Sequence, residues 1–269
     1  MQNRLMKFLL GSSALFFAAA CENTETTAVE TEAVEASTVD YDTAAAAAVN
    51  NPDRWPDDSV KDEGRKPVET LAFMQVASGM SIFEIEAGGG YFTELYSLAV
   101  GPEGSVVMQN PESFLGFFGE ELTKRIADNR LANVRQSLSI FDAFDAEDGS
   151  IDLVTWVQGP HELYYIQEDG SSLGDPATSY AEIFRIVKPG GAFVVIDHSA
   201  IDGAPETSGN ELHRIDKAIV VRMAEEAGFV FDAESDFLAK PEDDRTPLVF
   251  SPEIRGKTDQ FAVRFRKPE

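Results

Sequence analysis

Ser81-Ile82-Phe83-Glu84-Ile85-Glu86-Ala87-Gly88-Gly89-Gly90-Tyr91-Phe92 runs from an apolar segment straight into three glycines. The first half is a short β-branched and aromatic run, the composition of a buried strand. The second half leads at once into Thr93-Glu94-Leu95-Tyr96-Ser97-Leu98-Ala99, which reads as a helix. Strand, glycine turn and helix begin a βαβ unit. Its turn can approach a nucleotide-like ligand closely, because glycine reaches unusual backbone angles and has no Cβ in the way. A glycine cluster serves equally as a plain tight turn, so the flanking chain has to decide.

Outward from that stretch, strands and helices alternate. The pattern predicts a helix from Pro67 to about Ala77, strand 81–86, helix 91–99, strand 104–109, helix 112–130 and a short strand near 133–138. Strand 151–157, helix 177–187, strand 191–197, helix 212–227, strand 229–235 and a last strand at 261–266 follow. Such alternation implies a parallel, doubly wound α/β sheet, and the irregular stretch before the last strand suits an antiparallel ending. The chain has 269 residues, enough for one such domain with appendages. Its formal net charge of −25 repels phosphate backbones and argues against nucleic acid as a partner. One cysteine excludes an intramolecular disulfide and any cysteine-cluster metal site.

The N-terminus reads as an address. Arg4 and Lys7 precede an apolar run, Phe8 to Ala20, too short to span a bilayer, and Cys21 follows directly. This resembles a bacterial lipoprotein signal over residues 1–21, with Ala18 where leucine is usual. The resemblance implies acylation of Cys21 and, with Glu22 next, a periplasmic protein held to the outer membrane through its N-terminal lipid. Ordinary signal-peptidase cleavage is the alternative. Residues 22–50 are acidic and nearly free of aromatics, the composition of a disordered tether, although Ala44 to Val49 could begin a helix. The folded domain is then expected over 51–269.

The order of elements and four local motifs resemble a class I S-adenosylmethionine-dependent methyltransferase. The motifs are Glu84-Ile85-Glu86-Ala87-Gly88-Gly89-Gly90, Asp152-Leu153-Val154, Val187-Lys188-Pro189-Gly190-Gly191 and Glu225-Glu226-Ala227-Gly228-Phe229. The similarity covers about 66–235. More narrowly, Arg65-Lys66-Pro67, His161-Glu162-Leu163-Tyr164, Asp197-His198-Ser199, Leu212-His213-Arg214-Ile215-Asp216 and Arg255-Gly256-Lys257-Thr258-Asp259 are similar to a group of secreted bacterial methyltransferases. The resemblance implies a Rossmann-like sheet of seven strands, mostly parallel with an antiparallel last strand. It implies S-adenosylmethionine as cofactor and a small-molecule methyl acceptor.

Ligands in open α/β sheets lie beyond the carboxyl ends of the strands. By the resemblance, Gly88 and Gly90 would pack against the methionine part of the cofactor. Glu84 would bond loop amides or the ligand's ammonium, and Gln109 and Asn110 would meet the ribose. Asp142 would meet the adenine amino group, and Tyr91 and Gln158 would complete the cofactor set. Two positions depart from the family: Glu86 replaces the usual first loop glycine, and Gln109 the usual ribose carboxylate. Glu86 could grip the sulfonium side electrostatically, or both departures could mark a retained fold that binds another nucleotide-like or metal ligand.

The three histidines are His161, His198 and His213, two of them at strand ends on the glycine-loop rim. His161 or His198 suits a general base, with Asp197 to orient it. The same three with Asp197 or Glu162 could form a metal site, and each could simply bond loop backbone. Trp55 and Arg65 could act as a lid, Tyr164 and Tyr165 could line an acceptor pocket, and the long charged segment 236–259 could cap it. Within that segment Arg245 and Arg255 are candidates for an acidic acceptor group.

Overall fold

The computed structural model describes residues 39–167 and 169–269. The expected signal sequence, Cys21 and most of the expected tether lie outside them. The folded unit begins at Val39, ahead of the boundary expected at 51. A first helix, α1 (Tyr41–Val49), is capped by the Asp40 side chain on the Thr43 N–H, and it buries Ala45 and Ala48. The alanine run is therefore part of the core and not of the tether, because its small side chains allow close helix packing.

In chain order there follow α2 (Asp62–Arg65), α3 (Pro67–Met74), β1 (Ser81–Ile85), α4 (Tyr91–Val100), β2 (Ser105–Gln109), α5 (Leu115–Ile126), β3 (Val134–Ser137) and β4 (Ile151–Val157). The second half holds α6 (Pro176–Ile186), β5 (Val187–His198), α7 (Ser208–Leu212), α8 (Lys217–Glu226), β6 (Val230–Ser235) and β7 (Gln260–Arg266). The strands form one sheet of seven in the order β3-β2-β1-β4-β5-β7-β6. β1 to β5 run parallel, and β7 lies antiparallel between β5 and β6. The expected sheet and its antiparallel last strand are both present.

The strands β1 and β4, and β5 from Ala192 to Asp197, are almost continuously buried, as a parallel sheet covered on both faces requires. One face packs Phe83, Trp156, Tyr180, Phe193 and Phe265 beneath α6 and α8. The other packs Leu71, Ile82, Leu95, Tyr96 and Val194 beneath α1, α3 and α4. The helix expected over 212–227 is broken: α7 ends at His213, which takes φ +51°, and Ile215 then pairs with Ser199. This break matters for the site, since it turns His213 toward the end of β4. Among the described residues no helix is long and apolar enough to cross a membrane.

Candidate functional site

The rim at the strand ends divides into a glycine loop and a histidine group. In the loop, Glu86 takes φ +55° and its N–H donates to Gln109 Oε1 at 2.9 Å. Gly88 N–H donates to Asn110 Oδ1 at 2.9 Å, and Gln109 Nε2 donates to the Ser139 carbonyl at 2.6 Å. Gln109 and Asn110 are wholly buried. Both ends of each amide are bonded within the protein, where they clamp the loop. Asp142 is likewise committed, its Oδ1 accepting from the Asp175 N–H at 2.8 Å and from Ser179 Oγ at 2.9 Å. It ties the loop before β4 to the start of α6.

Glu84 does not reach the loop amides either. It is buried in β1 and accepts a hydrogen bond from the Thr93 hydroxyl of α4. Burial pushes its carboxyl up to about 8, against the pull of Thr93, Arg125 and Arg65. Tyr91 points outward from the loop, its hydroxyl donating to Asp62 at 2.6 Å beside a bidentate Arg54–Asp62 pair. That bond fastens the N-terminal segment to the loop.

Gly90 has φ +81°, and a Cβ there would lie 2.7 Å from Arg125 Cδ. Only glycine fits this combination of backbone angle and close approach. Arg125, 1% exposed, donates from Nε to the Gly89 carbonyl at 2.6 Å and reaches Asp58 at 2.8 Å and Glu94 at 3.1 Å. Sequence reasoning missed this buried network: its members come from three distant segments and leave no local pattern. Trp55 stacks on Arg125 and Arg130 and so packs as part of the wall over the loop.

Arg65 lines a small cavity together with Thr70, Phe92, Gln158 and Gln260. Its guanidinium lies 4.6 Å from the Tyr91 ring centre and 5.6 Å from that of Phe92. Among the described residues it has no carboxylate within ion-pair distance. Gln158, at the end of β4 with φ +60°, donates from Nε2 to Gln260 Oε1 at 3.3 Å.

Glu86 joins the two halves of the rim. Its Oε2 accepts from Trp156 Nε1 at 3.0 Å, in space that a Cβ on Gly159 would fill. Burial and the facing Glu162 carboxylate hold the Glu86 carboxyl well above the ordinary range.

The three histidines converge. Ring centres of His161 and His213 are 5.3 Å apart, and those of His161 and His198 6.0 Å. Asp197, 0% exposed, is the hub: it accepts from His161 Nδ1 at 2.8 Å, from His161 N–H at 3.0 Å and from His198 N–H at 2.7 Å. Since a carboxylate only accepts, the hydrogen of His161 sits on Nδ1, and Nε2 turns toward Glu162 Oε1 at 3.4 Å. Glu162 Oε1 lies also 3.2 Å from His213 Nδ1. Burial would lower the His161 imidazole, but Asp197 and Glu162 outweigh it and push it up to about 10. Burial also would raise Glu162, but its bonds from His161 and His213 bring it down to about 2. His198 is pushed the other way, down to about 3, by burial and the neighbouring His161, and its Nδ1 lies 2.8 Å from Thr258 Oγ1.

Asp197 holds His161 through Nδ1 and so fixes the orientation of its ring, while burial favours neutral His198, which keeps a lone pair. Thr258 and Phe250, the latter 4.8 Å from the His213 ring, come from the segment 236–259, which does cover the histidine side. A buried Arg214–Asp243 pair at 2.9 Å anchors that segment. Arg245 is paired with Asp259 and Asp202 and so is not free for an acidic acceptor. Tyr165 lies 5.1 Å from the His213 ring, and Tyr164 is half-buried against the core.

The sequence profile of the ubiE/COQ5 methyltransferase family matches residues 62–213, more than half of the chain. No curated protein gives a significant sequence match. Among solved structures, a SAM-dependent methyltransferase from Aquifex aeolicus has 17% identity and a TM-score of 0.51, over 85% of this chain and 99% of its own. One from Mesorhizobium loti has 14% identity and a TM-score of 0.50, over 73% and 94%. The cyclase SpnF has 15% identity and a TM-score of 0.53, over 78% and 80%. At these identities the likeness is one of fold.

Proposed function

The chain belongs to the ubiE/COQ5 methyltransferase family, and from that premise we propose that it methylates a small molecule at the junction of the glycine loop and the histidine group. Its cofactor is S-adenosylmethionine, which supplies an electrophilic methyl on a sulfonium centre. The donor set suits the methionine end of that molecule. Arg65, without a carboxylate partner and lining a cavity with Gln158, complements the methionine carboxylate. Glu86 complements the positive sulfonium and ammonium side.

The observation that carries the reading is the position of Glu86, which brings the glycine loop to the Asp197–His161 pair. The protein's part is mainly alignment of donor and acceptor. Asp197 fixes the His161 ring beside the acceptor, and His198 takes the acceptor's proton. A weakly basic imidazole suffices for a hydroxyl acceptor, because an oxygen that has gained a methyl becomes an oxonium and sheds its proton readily.

Calorimetric titration of the full-length protein with S-adenosylmethionine tests the reading. Micromolar binding, weakened at least tenfold by Gly88→Asp, supports it; a folded protein that does not bind the cofactor defeats it. The signal-like N-terminus further supports export and anchoring through Cys21, within a secreted methyltransferase group. The acceptor would then be a periplasmic small molecule. Membrane fractionation of wild type and Cys21→Ser decides this part: a soluble variant supports it, and an unchanged distribution removes it.

A further inference from the structure

We propose that His161 Nε2, His213 Nδ1 and one oxygen of Glu162 form a binding site for a first-row divalent cation, zinc in the first instance. The site adds a bound ion to the methyltransferase and stands on side-chain geometry alone, independently of the methyl acceptor.

Three observations converge on it. First, the spacing is that of a coordination shell. The donor atoms all lie within 4.8 Å of one another. Two of the three separations are 3.4 Å, from His161 Nε2 to Glu162 Oε1, and 3.2 Å, from His213 Nδ1 to the same oxygen. Ligands about 2.0–2.1 Å from a tetrahedral zinc stand about 3.3–3.4 Å apart, so these edges need almost no adjustment. Octahedral geometry at the same bond length would bring neighbouring ligands to about 2.9 Å, a poorer match.

Second, His161 is held from behind as metal-bound histidines are. Its Nδ1–H donates to Asp197 Oδ1 at 2.8 Å, and Asp197 is fixed in turn by the backbone N–H groups of His161 and His198. A carboxylate on the far nitrogen sets the tautomer, aims Nε2 and raises its donor strength. His213 is aimed by the break after α7, where φ +51° turns its ring into a wall formed by Tyr165 and Phe250.

Third, the site is short of positive charge. Glu86, Glu162 and Asp197 surround it, and among the described residues none has a lysine or arginine within ion-pair distance; their charged partners are only the histidines. Buried carboxylates are ordinarily paired with a cation or coordinate a metal. Two imidazoles and one carboxylate form a donor set suited to zinc, with the fourth position left for water or an acceptor oxygen.

The test uses the full-length protein in detergent, stripped with a chelator and dialysed against Zn2+ or Co2+, with bound metal counted by elemental analysis and Co2+ coordination read from its visible spectrum. One equivalent of zinc and a tetrahedral cobalt spectrum are expected. Glu162→Gln and His213→Ala should lose zinc affinity by tenfold or more while melting cooperatively without metal. Asp197→Asn should weaken it about 10–100-fold through the imidazole it orients. A folded wild-type protein that retains neither ion overturns the proposal. So does binding that survives unchanged in both Glu162→Gln and His213→Ala, which would place the ion elsewhere. Calorimetry with S-adenosylmethionine on the stripped protein reads the methyl-transfer proposal separately, so failure of one leaves the other standing.

Discussion

Replacing Arg125 by methionine removes the guanidinium that closes the glycine loop, and the cost follows from what it leaves behind. Asp58 would stay 2% exposed with its bidentate partner gone. Glu94 would keep Arg130, and the Gly89 carbonyl would lose the Nε donor. Removing one partner of a buried ion pair costs about 3–5 kcal/mol, because the remaining charge is uncompensated. Lys61, 3.7 Å from Asp58 and partly exposed, offsets only part of this, which favours the lower end, about 3 kcal/mol. In a domain of this size that is a fall in Tm of about 6–12 °C. Thermal and urea melts followed by circular dichroism measure it. The double variant Arg125→Met with Asp58→Asn should recover at least half of the loss, since it removes the stranded charge. If the single variant melts within a degree of wild type, or the double variant is no more stable than the single one, the loop is not held by this network and the reasoning fails.

Glu84, raised to about 8 by burial, gives a pH signature. A carboxyl whose folded value lies above its unfolded value of 4.5 contributes stability that is fully present below 4.5 and is lost as pH rises through 8. Wild type should lose about 1.4 kcal/mol per pH unit relative to Glu84→Gln across that window; parallel stability–pH curves would refute the burial argument. Arg214→Met strands the buried Asp243 and releases the segment 236–259, at a cost of about 3–5 kcal/mol. Proteolysis mapping should then find new cuts between Asp236 and Asp259, and an unchanged digestion pattern would show that the segment is held by other contacts. Arg65→Ala should weaken S-adenosylmethionine binding by at least tenfold in calorimetry with little change in Tm, since Arg65 has no carboxylate partner to strand; unchanged affinity would remove it from the cofactor site.

The sheet was legible because its signals are local. Strand 151–157 matches its expected limits, and the apolar run at 81–86, the glycine cluster and the alternation after it specified β1, α4 and the parallel order without any long-range knowledge. The break after α7 was not legible: Leu212-His213-Arg214-Ile215 continues a helical pattern, and only the pairing of Ile215 with Ser199 interrupts it. Placement of Gln109 and Asn110 at the end of β2 was foreseeable, but their partners were not. An amide at a strand end can face a ligand or turn inward, and the choice is made by loop amides more than twenty residues away. The same holds for Arg125, whose acidic partners come from elements the sequence does not link.

Glu86 is the residue at which these two kinds of information meet. The sequence marks it as a departure, bulk and charge where a glycine is usual, and a carboxylate at a loop mouth would ordinarily be a liability for a bound ligand. The structure turns it away from the loop axis, onto Trp156 and toward Glu162, His161 and Asp197. A carboxyl placed beside two others is costly unless positive charge arrives. On one side the sulfonium of S-adenosylmethionine would supply it, and on the other the cation proposed between His161, Glu162 and His213 would. If both ligands bind, each neutralises carboxylate charge that would otherwise attract the other, so their affinities should be linked and, by reciprocity, to the same factor. Zinc should therefore weaken cofactor binding, and Glu86→Gln should change that coupling. Calorimetric titrations of S-adenosylmethionine with and without zinc measure it; identical coupling in wild type and Glu86→Gln would mean that Glu86 does not join the two halves of the rim.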